Sequence, residues 1–328
     1  MSEPVLSVRD LRVAFPTRRR TLIAVDGVSF DIAPGEVLGV VGESGAGKSL
    51  TGAAIIGLLE PPGRIVGGEV RLRGQRIDDL PPEEARKMRG KRIGMVFQDP
   101  LSSLNPALRI GAQIAETIRA HEEVSEQEAW ARALDLLARV GVAAPDERAR
   151  DYPHQFSGGM RQRVMIAAAI ACSPEIIIAD EPTTALDVTV QAKILRLLYE
   201  LQQEMGAALL LITHDLGVVA AMADEVLVMY AGRVVERADV DTLFHAPRHP
   251  YTQALLACVL DIEDDGRSPL APIAGQPPDL HHPPPGCRFS PRCPRAVASC
   301  RRQDPQLLPV SDRQAVACLL EQRGSVHA

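Results

Sequence analysis

A glycine-rich stretch with one lysine and one serine is the part of the sequence best suited to chemistry. Residues 42–49 have the spacing GxxxxGK[ST], which is typical of a loop that binds phosphate. Glycines allow backbone N–H groups to converge on phosphate oxygens, while Lys48 can reach the outer phosphates and the Ser49 hydroxyl can ligate Mg²⁺. An ordinary glycine-rich turn is the alternative. We expect the whole stretch to bind a nucleotide: Gly42, Glu43, Ser44, Gly45, Ala46, Gly47, Lys48 and Ser49.

Two carboxylates follow an apolar run at residues 176–179. At the end of a buried strand, Asp180 is suited to hold the water shell of Mg²⁺ beside Ser49. Glu181 is suited to orient or deprotonate an attacking water. A strand capped by a solvated acidic turn is the alternative. Together with the phosphate loop, the pair predicts hydrolysis of a nucleotide.

A second glycine-containing helix start lies between these motifs. Ser157, Gly158 and Gly159 precede an alanine-rich segment and could bind an anion by the same physical logic as the first loop. On the residues alone, an ordinary serine N-cap is the favoured interpretation.

An α/β fold is predicted to position these motifs. Apolar strands alternate with helices, which indicates a parallel sheet covered on both faces. Residues 6–15 and 25–32 are predicted to form an antiparallel region, and residues 101–157 a helical insert that includes helices at 110–121 and 125–140. The alternating part comprises predicted strands at 37–41, 176–179, 208–213 and 225–229 and predicted helices at 50–59, 188–205 and 216–222. Further short strands are predicted at 69–73 and 93–97.

Length and charge narrow the function classes. The chain has 328 residues and a formal charge of −6, which argues against a general nucleic-acid binder. Its start has no secretory signal, and no apolar run approaches the ~18 residues that span a bilayer. We expect a soluble cytoplasmic protein that reaches a membrane only through a partner.

Together these motifs resemble the ATP-binding subunits of ABC transporters over about residues 5–255. The resemblance implies a RecA-like phosphate-loop ATPase core with an antiparallel β subdomain and a helical insert, binding ATP and Mg²⁺. In that family two such domains enclose two ATP molecules, so Ser157, Gly158 and Gly159 would complete the partner's site. Phe156 stands where the family has Leu, and Met160 where it has Gln.

The resemblance also assigns roles to four further residues. It implies that Gln98 contacts Mg²⁺ and the water, and that Asp187, in the segment 185–187, touches the partner subunit. His214 would sense the γ-phosphate and Phe15 would stack on adenine. A polar strand end at Gln98, a structural histidine and a core phenylalanine are the alternatives. The implied catalytic residues are therefore Glu181, His214 and Gln98, and the implied Mg²⁺ residues are Ser49, Gln98 and Asp180.

Two segments resemble the ATPase subunits of dipeptide and oligopeptide importers. They are residues 97–106, where this family docks a helix of the permease, and residues 249–256. The resemblance implies a peripheral subunit on the cytoplasmic membrane face, which works with two permease subunits and a second, homologous ATPase. A peptide-binding protein outside the cytoplasm would take part indirectly, and no nucleic acid would. Importers of nickel or other solutes are close relatives, and they stay open as an alternative.

Two other classes are less consistent with this sequence. ABC ATPases that act on DNA or the ribosome normally carry coiled-coil insertions, tandem domains or a basic linker. Exporter subunits are often fused to membrane spans. The sequence contains none of these features.

The end of the chain contains a group of cysteines. We divide the chain into an ATPase domain at 1–260 and a C-terminal part at 261–328, with a Pro-rich linker and a Cys-rich domain of the oligopeptide-transporter type. Four cysteines in a reducing cytosol suggest metal ligation rather than disulfides. The resemblance implies a [4Fe–4S] cluster, while zinc or unmetallated thiols stay open. The four cysteines are Cys287, Cys293, Cys300 and Cys318.

Overall fold

The computed structural model describes residues 3–17, 20–184, 186–258 and 273–322. Contacts between residues divide the chain into two compact units. The first consists of the described residues of Met1–Ser7, Asp31–Glu36 and Arg71–Ile212. The second consists of the described residues of Val8–Phe30, Val37–Val70 and Thr213–Ala328.

Strands and helices alternate along much of the chain. The strands are β1 Leu6–Pro16, β2 Thr21–Ile32, β3 Val37–Val41, β4 Arg64–Leu72, β5 Gln75–Arg76, β6 Ile93–Val96, β7 Ile176–Asp180, β8 Ala208–Ile212, β9 Glu225–Tyr230, β10 Arg233–Asp239, β11 Leu308–Ser311 and β12 Gln314–Val316. The helices are α1 Lys48–Ile55, α2 Pro82–Met88, α3 Pro100–Ser103, α4 Ile110–His121, α5 Glu126–Arg139, α6 Pro145–Arg148, α7 Gly158–Ala169, α8 Val188–Met205, α9 Leu216–Met222, α10 Val240–His245, α11 Pro250–Ala257 and α12 Leu319–Gln322.

Three parallel strands in the first unit position the predicted carboxylates. β6 pairs with β7 and β7 with β8, all in the same direction. Every residue of β7 and β8 is buried, which accounts for their continuous apolar sequences. Because the strands are parallel, the carboxyl ends of β6 and β7 meet at one edge, where Gln98 and Glu181 follow them.

The predicted helical insert contains the helices α3 to α6. Helix α4 has the predicted bounds and packs against α5, whose apolar face includes Ala129, Ala133 and Leu137. The Ser125 side chain caps α5 by accepting a hydrogen bond of 3.1 Å from the Glu128 N–H, as the capping-box spacing predicts. Helix α7 then contacts α4 and α5, and it carries the second glycine-containing helix start at its N-terminus.

The second unit contains antiparallel pairs that the sequence analysis missed. β3 and β9 are parallel, but β10 returns beside β9, and β12 pairs with β10. The chain reverses at Ala231 and Gly232, which both have positive φ. Charged residues interrupt β10, so its sequence lacks an apolar run. One of them, Glu236, is fully buried and accepts hydrogen bonds from the backbone of Arg248 and the side chain of Gln314.

The first part of the chain supplies a smaller sheet, in which the strand order is β2, β1, β4, β5. Strand β1 agrees with the prediction, whereas β2 begins four residues before the predicted residue 25 and β4 begins five residues before the predicted residue 69. Its extension contains Gly67 and Gly68, and glycine is depleted in strands, so the prediction stopped short. Gly68 has φ +81° and lies against the backbone of β1, where a Cβ would be 2.3 Å from the Arg9 carbonyl oxygen.

Candidate functional site

The phosphate loop has a backbone that only glycine fits at two positions. Gly42 has φ +153°, and a Cβ there would lie 2.2 Å from the carbonyl oxygen of Met229. Gly47 has φ +98°, and a Cβ there would lie 2.9 Å from the carbonyl oxygen of Ala24. Gly47 is also the N-cap of α1 and has no side chain with which to cap that helix. The loop therefore leaves a helix N-terminus suited to an anion.

Lys48 is folded back over the start of this loop. Its Nζ donates to the carbonyl oxygens of Gly42 at 2.8 Å and Glu43 at 3.1 Å, and the residue is 5% exposed. Thr51 donates from Oγ1 to the Gly47 carbonyl oxygen at 2.9 Å. The Lys48 ammonium is already removed from bulk water and is stabilised by carbonyl dipoles. Its transfer to a phosphate oxygen therefore requires little further desolvation.

Two residues that the sequence analysis did not assign to the site contact Glu43. The backbone N–H of Glu43 donates to the hydroxyl oxygen of Tyr251 at 2.8 Å. Arg292 donates from both terminal nitrogens to the Glu43 carboxylate, at 2.7 and 3.0 Å. Tyr251 belongs to the 249–256 segment, so a signal was present for it, but that segment was interpreted only as a family marker. The arginine-rich composition after residue 281 was the sole signal for Arg292.

The carboxylate edge brings Gln98 and Glu181 together. Gln98 donates from Nε2 to Glu181 Oε2 at 2.9 Å, and Thr184 donates from Oγ1 to the same oxygen at 2.9 Å. The Glu181 backbone turns sharply with φ +45°, and its N–H donates to the Ile212 carbonyl oxygen at 2.8 Å. Asp180 ends β7 and is 7% exposed. Thr184 was missed because its only sequence signal is that of a turn residue.

The second glycine-containing helix start is open to solvent. Ser157 is the N-cap of α7 and accepts a hydrogen bond of 3.4 Å from the Met160 N–H. Ser157 and Gly158 are exposed. A Cβ on Gly158 would lie 3.3 Å from the Leu186 side chain, and one on Gly159 would lie 2.6 Å from the side chain of Val190. Movable side chains rather than backbone therefore surround these glycines.

Asp187 faces the same cavity as this helix start. The cavity has a volume of about 450 Å³, and Arg163 and Lys193 contribute positive charge to its lining. Asp187 is the N-cap of α8 and accepts a hydrogen bond of 3.0 Å from the Val190 N–H. The structure thus brings Asp187 together with Ser157. Ala185, which the prediction placed in the same loop, lies outside the described residues.

His214 and Phe15 lie at separate places in the second unit. His214 is exposed, two residues before α9, and its neighbour Asp215 caps that helix by accepting from the Gly217 N–H. Phe15 is half-buried, and its ring lies against Gly63, where a Cβ would be 2.6 Å from Cε1. The roles proposed for these two residues stay predictions.

The prediction of an iron–sulfur cluster on Cys287, Cys293, Cys300 and Cys318 is wrong. Across the described ranges, which include all four residues, no group of three or more His, Cys, Asp or Glu side chains could hold a metal ion. Burial raises the pKa of Cys287 to about 11 and also raises the pKa of Cys293.

No helix among the described residues is both long and apolar enough to cross a membrane. The other predictions for residues 261–272 and 323–328, including the linker, concern residues outside the described ranges.

Comparison with known families gives two matches along the chain. The family described as ABC transporter matches residues 25–184, which include the phosphate loop and both carboxylates. The family described as oligopeptide/dipeptide transporter, C-terminal region, matches residues 235–300.

Several curated proteins are similar over nearly the whole chain. The dipeptide transport ATP-binding protein DppD of Bacillus subtilis (strain 168) is 47% identical over 327 residues, which are 99% of this chain and 97% of that protein. The DppD protein of Escherichia coli (strain K12) is 48% identical, covering 96% of each chain. The oligopeptide transport ATP-binding protein OppD of the same strain is 48% identical, covering 93% of this chain and 90% of its own.

A solved structure with a similar fold is the ATP-binding cassette MJ0796, described as a dimer in a post-hydrolysis state bound to ADP and Pi. It superposes with a TM-score of 0.65 and 30% sequence identity, covering 72% of this chain and 98% of its own.

Proposed function

Because the chain belongs to the ABC transporter family, and within it to the ATP-binding subunits of oligopeptide and dipeptide transporters, we propose that it powers the import of peptides. The chain has the ABC ATPase fold and is an ATPase that couples hydrolysis to transport. The observation that carries the peptide assignment is the match of residues 235–300 to the C-terminal region of oligopeptide and dipeptide transporters.

The first step of the proposed reaction is the binding of ATP by the phosphate loop. Its backbone N–H groups and Lys48 hold the phosphates, and Phe15 stacks on the adenine. Ser49, Asp180 and Gln98 offer the hydroxyl, carboxylate and amide oxygens that Mg²⁺ prefers, so their chemistry fits this ion. When bound, Mg²⁺ neutralises charge on the phosphates.

Hydrolysis then requires a water in line with the leaving oxygen. Glu181 orients this water and accepts its proton as the water oxygen bonds to the γ-phosphorus. The bond between that phosphorus and the β–γ bridging oxygen breaks, which gives ADP and phosphate. The hydrogen bond of 2.9 Å from Gln98 fixes the Glu181 carboxylate. His214 senses the γ-phosphate.

As a transporter subunit, the chain works with a membrane permease. We propose two permease subunits, a second and homologous ATPase subunit, and an indirect role for a peptide-binding protein outside the cytoplasm. In the ATPase pair, Ser157, Gly158 and Gly159 would complete the partner's ATP site, with Asp187 at the contact. The open cavity around Ser157 supports this role. The subunit would sit on the cytoplasmic face of the membrane.

The proposed architecture follows from the same family. We assign the parallel strands to a RecA-like phosphate-loop core, strands β1, β2 and β4 to the antiparallel subdomain, and residues 101–157 to the helical insert. Residues 261–328 would comprise a Pro-rich linker and the Cys-rich C-terminal domain of the oligopeptide-transporter type.

The test uses the complete transporter in liposomes, with its binding protein and a dipeptide. We expect the dipeptide to stimulate ATP hydrolysis and to enter the liposomes. Stimulation by nickel and not by peptides would overturn the proposed cargo in favour of the alternative.

Glu181→Gln tests the proposed chemistry in the same liposomes. The substitution keeps the shape of the side chain but removes the base, so turnover should fall about a hundredfold or more. With the purified ATPase subunits outside the liposomes, an ATP-bound dimer should accumulate in size-exclusion chromatography. The matched control is Glu200→Gln on α8, which removes only an exposed pair with Arg196. Equal turnover in the two variants would remove Glu181 from the mechanism.

A further inference from the structure

Glu43 of the phosphate loop is held through its backbone N–H, its carbonyl oxygen and its side-chain carboxylate. Its N–H donates to Tyr251, its carboxylate accepts from Arg292, and its carbonyl oxygen accepts from Lys48 Nζ at 3.1 Å. Glu43 therefore connects Lys48 to two side chains outside the loop, those of Tyr251 and Arg292. A shift of the Glu43 peptide would move an acceptor of the lysine that holds the phosphates.

Arg292 is enclosed rather than a surface charge. Its side chain is 4% exposed, and that of Glu43 is 27% exposed. Its two terminal nitrogens each meet one carboxylate oxygen, which is the bidentate geometry that gives strong, directional pairs. The guanidinium also donates to Tyr230 Oη at 3.3 Å and to the carbonyl oxygens of Ile273 at 3.1 Å and Ala274 at 3.0 Å. These contacts fix the orientation of the guanidinium.

An aromatic cluster anchors the segment that carries Arg292. Phe289 is 1% exposed, and its ring centroid lies 5.2 Å from that of Tyr230 and 5.4 Å from that of Tyr251. Tyr230 and Tyr251 are themselves 4.6 Å apart and are also buried. The Phe289 ring thus packs against both tyrosines. Their hydroxyl groups accept hydrogen bonds from Glu43, in the case of Tyr251, and from Arg292, in the case of Tyr230. The cluster connects the C-terminal segment to the phosphate loop.

We propose that Arg292 and Tyr251 are positioning residues for ATP, through which the C-terminal segment sets the shape of the phosphate loop. They act on Glu43, and through its carbonyl oxygen on Lys48, without contact to the nucleotide. The C-terminal segment is then part of the ATPase machinery. This inference rests on the binding of ATP by residues 42–49 in the proposed function.

A merely structural role for Arg292 makes a different prediction. If the ion pair only attached the C-terminal segment, its loss would lower the melting temperature but would leave the nucleotide affinity of the folded protein unchanged. A positioning role changes KM for ATP and the dissociation constant of ADP, while kcat changes little.

The experiment compares full-length Arg292→Gln with the wild type by calorimetric titration with ADP and Mg²⁺ and by ATPase kinetics. We expect a dissociation constant and a KM about tenfold higher, because a charge-assisted bidentate pair is lost from the loop. We expect kcat within about twofold of the wild type, because the hydrolytic groups are intact. Arg292→Lys keeps the charge and should recover part of the affinity.

The matched control is Arg295→Gln, three residues after Arg292 in the same segment. This substitution breaks the pair that the exposed Arg295 makes with Glu321. Its ADP affinity should equal that of the wild type. Wild-type affinity in Arg292→Gln, or equal losses in Arg292→Gln and Arg295→Gln, would overturn the inference.

Glu43→Gln tests the pair from the other side and serves if Arg292→Gln does not fold. Combined with Arg292→Gln it should weaken ADP binding no further, since both substitutions remove one interaction. Losses that multiply would overturn the inference. A wild type that binds no ADP would instead overturn the proposed function.

Discussion

Two helices of this protein begin with glycine-containing loops, and the loops are built in opposite ways. The loop at 42–49 places Gly42 and Gly47 against backbone carbonyl oxygens, at distances that admit no Cβ. The loop at 157–159 places its glycines against the side chains of Leu186 and Val190, which can move. The first loop has its shape fixed within its own chain, whereas the second can adjust to whatever it meets.

The groups at the helix starts differ in the same sense. Gly47 has no side chain to cap α1, and the buried Lys48 is the first residue of that helix. In α7, the hydroxyl of the exposed Ser157 already accepts from one N–H group. This difference agrees with the proposal that the first loop holds the nucleotide of its own chain and the second completes the site of a partner.

The same substitution in the two loops should give the largest contrast. Gly42→Ala places a Cβ 2.2 Å from a backbone oxygen at φ +153°, so the loop must deform. We expect ADP affinity to fall about a hundredfold, since strain of this kind costs on the order of 3 kcal/mol. In Gly158→Ala the nearest atom is 3.3 Å away on the Leu186 side chain. We expect its ADP affinity, measured on the isolated chain by calorimetric titration, to stay within about twofold of the wild type.

ATP turnover by the complete transporter gives a further test of the difference between the two loops. Gly158→Ala should slow turnover there, because the proposed partner site would be obstructed. Similar losses of ADP affinity in isolated Gly42→Ala and Gly158→Ala would contradict this difference between the loops. Such a result would show that both loops bind the nucleotide of their own chain.

Strand β2 forms the wall of the first loop next to Gly47 and carries a carboxylate with two arginine partners, Asp26. Asp26 accepts a hydrogen bond from Arg233 at 2.7 Å and also pairs with Arg288, and its side chain is 10% exposed. Burial alone would raise the pKa of Asp26, but the hydrogen bond and charge of Arg233, with the charge of Arg288, lower it below 3.8. Asp26→Asn should lower the free energy of unfolding by about 1–3 kcal/mol at pH 7.

The contribution of Asp26 to the free energy of unfolding depends on pH in a defined direction. A carboxylate whose pKa is depressed by folding stabilises the protein above its unfolded value of 3.8, and this contribution disappears as the pH falls through the folded value. In urea unfolding, the difference between wild type and Asp26→Asn should stay constant from pH 8 to 5 and shrink only below pH 3.8. A difference that shrinks near pH 6 would contradict the assignment. ADP affinity of the folded variant should not change, because Asp26 supports the wall and not the loop.

Much of this fold could be predicted because its elements depend on local patterns. Helices α4, α8 and α9 have the predicted bounds, since their apolar residues recur with helical spacing. The strand before the phosphate loop also agrees with the prediction, because all five of its residues are apolar or glycine and buried. Strand β10 was missed because Glu236 and its charged neighbours obscure the apolar pattern, and partners distant in the sequence satisfy that buried carboxylate.

The site shows the same division between local and distant determinants. The spacing in residues 42–49 indicated the loop, whereas the contact between Gln98 and Glu181 comes from the pairing of parallel strands and was not predicted. Arg292 could not be predicted, since 249 residues separate it from Glu43. The cluster prediction failed because the spacing of the four cysteines along the sequence does not determine whether the fold groups three or more of them as metal ligands, and among the described residues it does not.

The smallest expected effect tests whether the first loop depends on such a distant contact. Tyr251→Phe keeps the ring, and so the contacts with Tyr230 and Phe289, but it removes the acceptor of the Glu43 N–H. Burial raises the pKa of Tyr251, so the hydroxyl is neutral at any assay pH.

One lost hydrogen bond should weaken ADP binding about threefold, because such a bond contributes about 1 kcal/mol or less net. The control is Tyr199→Phe on α8, where the ring is 39% exposed and its hydroxyl is remote in sequence from the loop. Calorimetric titration of both variants with ADP measures the difference. If Tyr251→Phe and Tyr199→Phe bind ADP equally well, glycine and lysine alone fix the first loop, and the contrast with the second loop lies within residues 42–49. If only Tyr251→Phe binds ADP more weakly, the shape of that loop also depends on a residue 208 positions away in the sequence.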